Sequence, residues 1–167
     1  MVSLETSGNI CENGTIAIIA SSTQPSFTST RAPFADSLVD YTDLSSNSMW
    51  SPDNEVNSNL IFDFKTRKIK LTDYTFHTPT NRTNEYPRSW RIECSNNLSN
   101  WQIVDIREDE IVMDDNDVCH TFKCSDQKKE FFRYIKITST EATWHNPSRY
   151  YFDISAVEFF GNLEELK

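Results

Sequence analysis

Apolar and polar residues alternate in short runs along this chain, the spacing of strands with one dry face and one wet face. The clearest run is Ser89 to Ser95, where Trp90, Ile92 and Cys94 alternate with Arg91, Glu93 and Ser95 before a polar Ser-Asn-Asn turn and a second tryptophan, Trp101. It reads as a hairpin. Further runs fall at Ile16 to Ala20, Leu60 to Phe64, Ile69 to Thr78, Trp101 to Ile106, Val118 to Cys124, Arg133 to Thr140 and Tyr151 to Gly161, with no helical period between them. Ile69 and Leu71 take one face and Tyr74 and Phe76 the other, so the apolar line changes side near Thr72 and Asp73, as a β-bulge requires. Eight strands is the count of a double-sheet jelly roll, and the pattern predicts an all-β, eight-stranded antiparallel jelly-roll β-sandwich.

Residues 21–59 hold many Ser, Asn, Asp and Pro and little period, which predicts a long loop region after the first strand. Loops of that length serve ligands, metals or coverage of a sandwich end. With 167 residues the chain has room for one domain: a leader over 1–14, the domain over 15–162 and a tail over 163–167. Aromatics are 13% of residues against only 3 Gly, so large rings must fill much of the core.

A net charge of −9 repels phosphate backbones and anionic lipid, which excludes nucleic acid as an expected partner and disfavours membrane. The one basic cluster, Lys65, Arg67, Lys68 and Lys70, straddles a turn between strands and reads as solvated charge. The first residues show neither a basic start nor an apolar run, and no later segment has membrane-spanning length, so the chain is expected to be intracellular and cytoplasmic. Cys11, Cys94, Cys119 and Cys124 match no zinc or redox spacing and are expected as small buried thiols. The sequons at Asn13, Asn81 and Asn97 matter only in a secreted chain.

From Thr15 to Gly161 the order of segments resembles the discoidin domain, also called the coagulation factor 5/8 type C domain. The residues that carry the likeness are IAIIASST, SLVDYTD, Met49-Trp50-Ser51, LIFDFKTRKIKLTDYTFHT and above all EFFRYIKITSTEATWHNPSRYYFDISAVEFFG. The resemblance implies a galactose-binding-domain-like sandwich and a binding module, in a form similar to the short intracellular members of the family. Secreted members commonly join their ends by a disulfide. Here Cys11 precedes the domain and no cysteine follows Gly161, which again points to the cytosol. Membrane-binding relatives carry exposed apolar spikes, and the loop from Pro79 to Arg88 offers only Tyr86.

The family places ligands on loops at the end of the sandwich away from the termini, which here implies residues 45–59, 79–88 and 141–150. Trp144, His145, Asn146, Arg149 and Tyr150, with Asn81 and Arg82 on the neighbouring loop, combine a flat ring with donors and acceptors suited to a sugar face and its hydroxyls. Two readings stand side by side: Trp144 as a sugar platform, or Trp144 folded back to cap the core. His145 reads as a surface histidine.

Glu158 falls in phase with Phe152, Ile154, Ala156 and Phe160, and a carboxylate on an apolar line needs a partner. The resemblance implies a structural Ca²⁺ held by Asp40, Asp43, Ser48 and Glu158, an oxygen set that suits calcium. Asp40-Tyr41 stands where the family has Asp-Gly, and pairing of Glu158 with a cation or hydroxyl is the alternative. The acidic run from Arg107 to Asp117 lacks an EF-hand order and reads as a solvated hairpin loop.

There is no triad, phosphate loop or HExxH, and Cys119 and His120 point to opposite faces of a strand. No catalysis and no required cofactor are expected. The sequence thus predicts a recognition module whose end loops engage a protein partner, with a lectin-like glycan-binding module as the alternative.

Overall fold

The computed structural model describes residues 14–23, 38, 39, 44, 49–81 and 83–166. The alternating runs become eight strands: β1 Ala17–Ala20, β2 Asn59–Asp63, β3 Arg67–His77, β4 Trp90–Ser95, β5 Gln102–Arg107, β6 Cys119–Lys123, β7 Tyr134–Ser139 and β8 Ala156–Glu165. They form a five-stranded sheet in the order β1-β2-β7-β4-β5 and a three-stranded sheet in the order β6-β3-β8, with every pairing antiparallel. The expected jelly-roll sandwich is what the residues build.

The core lies between the two sheets, and its centre is aromatic. Trp90 packs against Phe76 at 5.3 Å, Phe122 at 5.1 Å and Phe152 at 6.0 Å between ring centroids, and Tyr74 meets Phe76 at 5.1 Å. Edge-to-face and tilted contacts of this kind add to the area buried. The pairing of β3 with β8 slips between Leu71 and Asp73, where the sequence places a bulge. That slip lets Ile69 and Leu71 reach the core from one half of the strand and Tyr74 and Phe76 from the other, all four being buried.

The hairpin after β4 closes through side chains. Ser95 Oγ accepts from the backbone N–H of Asn97 (3.2 Å) and Leu98 (3.1 Å), and Asn97 Oδ1 accepts from those of Ser99 (3.0 Å) and Asn100 (2.9 Å). Leu98 takes φ 61°, a strain these bonds offset. Trp101 then folds over Lys136, whose Nζ lies 4.1 Å from the ring centroid.

β8 begins later than the run from Tyr151 suggests and continues past Gly161 to Glu165. Gly161 is required where it stands: a Cβ there would lie 2.1 Å from the carbonyl oxygen of Lys70 on β3. Two members of the basic cluster are paired, Lys65 Nζ lying 3.2 Å from Asp63 and Arg67 Nε 2.6 Å from Glu165. Asp63 also accepts both prongs of Arg133, at 2.7 and 3.0 Å. These pairs gather at the end of the sandwich where β8 finishes and β1 starts, which leaves the opposite end for the long loops.

Candidate binding site

Four loops meet at that opposite end: residues 49–58, 78–88, 108–117 and 141–153. Backbone and side-chain bonds sew them together. Thr78 Oγ1 donates to the carbonyl of Asp115 (2.8 Å), the N–H of Asp117 donates to Pro79 (3.0 Å), and the N–H of Glu110 donates to Arg88 (2.9 Å). Asn54 joins the first loop to the last, donating to the carbonyl of Ser148 (3.2 Å) and accepting from the N–H of Tyr150 (2.7 Å). The acidic run read as a solvated loop is therefore part of this surface.

Trp144 is half-buried, between the two readings the sequence allows. Arg88 lies over its ring at 4.8 Å from the centroid and is anchored by Asp109, which accepts from Arg88 Nε at 2.7 Å. The guanidinium thus holds the indole in place. Asn146 is half-buried and spends its oxygens on its own turn, accepting from the N–H groups of Ser148 (2.9 Å) and Arg149 (3.1 Å). Exposed Arg149 donates to Glu85 (2.5 Å) and lies 5.8 Å from the centroid of Tyr151, while the guanidinium over Trp144 is that of Arg88. Tyr150 is half-buried; His145 is exposed, its Nε2 3.1 Å from Asp114 Oδ1 but outside hydrogen-bond geometry. Asn81 is exposed and accepts from Thr80 Oγ1 at 3.2 Å. Arg82 lies outside the described residues, and so do Asp40, Asp43 and Ser48.

Tyr86, the one apolar candidate on its loop, is buried, its hydroxyl accepting from the N–H of Thr83 (3.3 Å). Glu158 does not share the core face either. Val157 and Phe159 point inward, Phe159 meeting Phe62 edge-on at 4.9 Å, while Glu158 sits on the outer face opposite Thr75. The alternation read back from Phe152 fails because Ile154, Ser155 and Ala156 are all buried, in the stretch where Ile154 bridges Trp50. Among the described residues no group of three or more His, Cys, Asp or Glu side chains could hold a metal ion.

Sequence reasoning passed over Glu85, Arg88, Asp114 and Asp153. Asp153 had a signal, a lone carboxylate between Phe152 and Ile154 in an apolar stretch. It is 2% exposed, and burial pushes its carboxyl up to about 7; the Ser51 and Thr83 hydroxyls oppose the shift and the charge of Glu85 adds to it. Among the described residues, four buried side-chain polar atoms have no hydrogen-bond partner in the protein: Glu85 Oε2, Asp114 Oδ1, Trp144 Nε1 and Asp153 Oδ1. All four belong to these loops. The other described residues satisfy their buried side-chain polar atoms, so the exceptions are concentrated at one end. Beside Arg88 an open groove of about 490 Å³ runs between Ile103, Ile106, Glu108 and Glu141, within the size range of small-molecule sites.

The F5/8 type C domain model matches residues 17–152. Among solved structures, the chain is similar to the C-terminal domain of a chitobiase from Bacteroides fragilis (15% identity, 91% of this chain and 97% of that one, TM-score 0.69). It is similar to CBM32-3 from a family 31 glycoside hydrolase of Clostridium perfringens (14%, 97% and 99%, 0.68). It is also similar to CpGH89CBM32-5 from Clostridium perfringens, determined in complex with GalNAc-β-1,3-galactose (14%, 89% and 96%, 0.66). No curated protein matches the chain.

Proposed function

We propose that this chain, which belongs to the F5/8 type C domain family, is a glycan-recognition module that binds sugar and leaves it chemically unchanged. The observation that carries the reading is Trp144: a half-buried indole held by Arg88, which itself lines the open groove. A sugar presents C–H groups on one face and hydroxyls around its edge. The indole supplies the apolar surface, and exposed carboxylates of the same loops, Glu108 and Glu141, supply acceptors for hydroxyl protons. A structural neighbour with a disaccharide bound supports the same choice.

The protein-partner reading keeps one supporting observation. Ile111 is 67% exposed and Val112 is exposed beside it on the acidic loop, where an apolar anchor could dock. The concave, polar character of the rest of the end favours sugar.

A glycan array probed with the chain and with its Trp144→Ala variant tests the proposal. Reproducible binding that disappears in the variant is the expected result; a blank array with the intact chain counts against it and moves the protein partner to the front.

A further inference from the structure

Under the end loops two carboxylates meet with little to neutralise them. Asp153 stands beside Glu85: its N–H donates to the Glu85 carbonyl at 3.0 Å, and the charge of Glu85 acts on its carboxyl. Each keeps one buried oxygen, Asp153 Oδ1 and Glu85 Oε2, without a partner in the protein. Asp153 is 2% exposed, and its carboxyl takes hydrogen bonds from the hydroxyls of Ser51 and Thr83, both neutral groups. Thr83 Oγ1 also accepts from the Glu85 N–H at 3.4 Å, so the chain brings both carboxylates and both hydroxyls together. Among the described residues the one ion pair at this place is that of Arg149 with Glu85 at 2.5 Å, and Arg149 reaches in from solvent, its side chain 52% exposed.

A buried carboxylate without a cation is costly, and a hydroxyl occupies its lone pairs without answering its charge. A bound cation does both. The donors are all oxygen and come from three loops, a hard set that suits a divalent ion of calcium size, which accepts irregular geometry and completes its shell with carbonyls or water. We infer that Ser51, Thr83, Glu85 and Asp153 form a calcium site that ties residues 49–58, 78–88 and 141–153 together beneath the candidate binding surface. The site shares no residue with the set the family resemblance implies, Asp40, Asp43, Ser48 and Glu158, and Glu158 lies on the outer face of β8. With two carboxylates and two hydroxyls it falls outside the clusters of three His, Cys, Asp or Glu side chains that are absent among the described residues. The inference stands whether or not the end loops bind sugar.

The test takes the full chain stripped with chelator, titrates it with calcium and reads the thermal midpoint. Terbium luminescence gives a second readout, sensitised by Tyr86, whose hydroxyl accepts from the Thr83 N–H at 3.3 Å. Calcium at about a hundredfold excess over its Kd should raise the midpoint by roughly 5–10 °C. Asp153→Asn and Glu85→Gln keep the size of each side chain and remove its charge; each should weaken calcium binding by about tenfold or more and quench the terbium signal. A cooperative melt of each variant in chelator shows that it is folded. No rise in the parent at millimolar calcium overturns the inference. So does a rise that persists undiminished in both variants, which puts the ion elsewhere, and so does an equal rise with sodium chloride at matched ionic strength, which reports screening of an acidic chain.

Discussion

Tyr74 donates its phenol proton to Asp105 across the interior of the sandwich, 2.6 Å from oxygen to oxygen, and so ties the two sheets together at their aromatic centre. The phenol oxygen also accepts from Trp90 Nε1 at 2.8 Å. Asp105, 1% exposed, takes Arg107 Nε at 2.7 Å on the same oxygen and the N–H of Ser125 at 3.1 Å on the other. Burial, with Asp105 second, drives the Tyr74 hydroxyl far above its ordinary range, so it stays a donor. A buried carboxylate on an edge strand is tolerable because each of its oxygens is spoken for.

That network sets the first prediction. Asp105→Ala strands the Tyr74 hydroxyl and a partly buried Arg107, and should cost roughly 3–5 kcal/mol. Tyr74→Phe removes one donor and should cost about 1–2 kcal/mol. Urea unfolding of both variants and of the double variant checks it; strictly additive losses would show that the two side chains do not act as a unit.

Gly161 supplies the second. With only 2.1 Å between an added methyl carbon and the Lys70 oxygen, Gly161→Ala must push β8 off β3 at the bulge. A loss of several kcal/mol is expected, on the order of the larger single-site effects. A thermal midpoint unchanged from the parent would contradict the close approach.

Asp153 makes stability depend on pH. Its carboxyl holds its proton up to about 7 in the folded chain, against 3.8 when exposed. The folded state therefore binds more protons than the unfolded one between those values. The stability this site contributes is complete below the lower value and drains away as pH rises to the upper, at up to about 1.4 kcal/mol per unit. Asp153→Asn should flatten that fall and be the more stable protein at pH about 8. Chemical denaturation across the range decides; a parallel curve for the variant would place the titration elsewhere.

The thiols should separate by burial. Cys119 is exposed, where a buried thiol was expected, while Cys94 and Cys124 are buried, and burial pushes Cys124 up to about 12 and Cys94 well above its ordinary range. Alkylation of the native chain followed by peptide mapping should mark Cys119 and spare Cys94 and Cys124 until denaturant is added; Cys11 lies outside the described residues. Labelling of Cys94 in the native state would contradict its place on the core face of β4.

Strand positions were legible because a period of two leaves a plain mark, and the bulge was legible because Ile69, Leu71, Tyr74 and Phe76 cannot share a face without it. The end loops were harder. Trp144, Arg149 and Tyr150 were singled out because the resemblance puts ligands on their loop and their side chains suit a sugar, but neither says that Arg149 turns to Glu85 or that Arg88, from another loop, covers the indole. Those pairings are long-range and leave no local period. Glu158 was misplaced for a related reason: alternation extrapolates only through a continuous strand, and the chain is irregular until Ala156. The acidic loop looked solvated because its role rests on bonds to residues far away in sequence, such as that from Thr78 to Asp115.

The most direct measurement of the proposed glycan site uses the four indole N–H signals in a nitrogen-proton NMR spectrum. Three are bonded inside the protein, Trp50 to the Ser22 carbonyl at 3.0 Å, Trp90 to Tyr74 at 2.8 Å and Trp101 to the Leu98 carbonyl at 3.1 Å, while that of Trp144 has no partner. Titration with an array-positive oligosaccharide should move the Trp144 signal and leave the other three in place. Movement of the Trp101 signal with Trp144 unmoved would put the sugar at the opposite end of the sandwich and contradict the account.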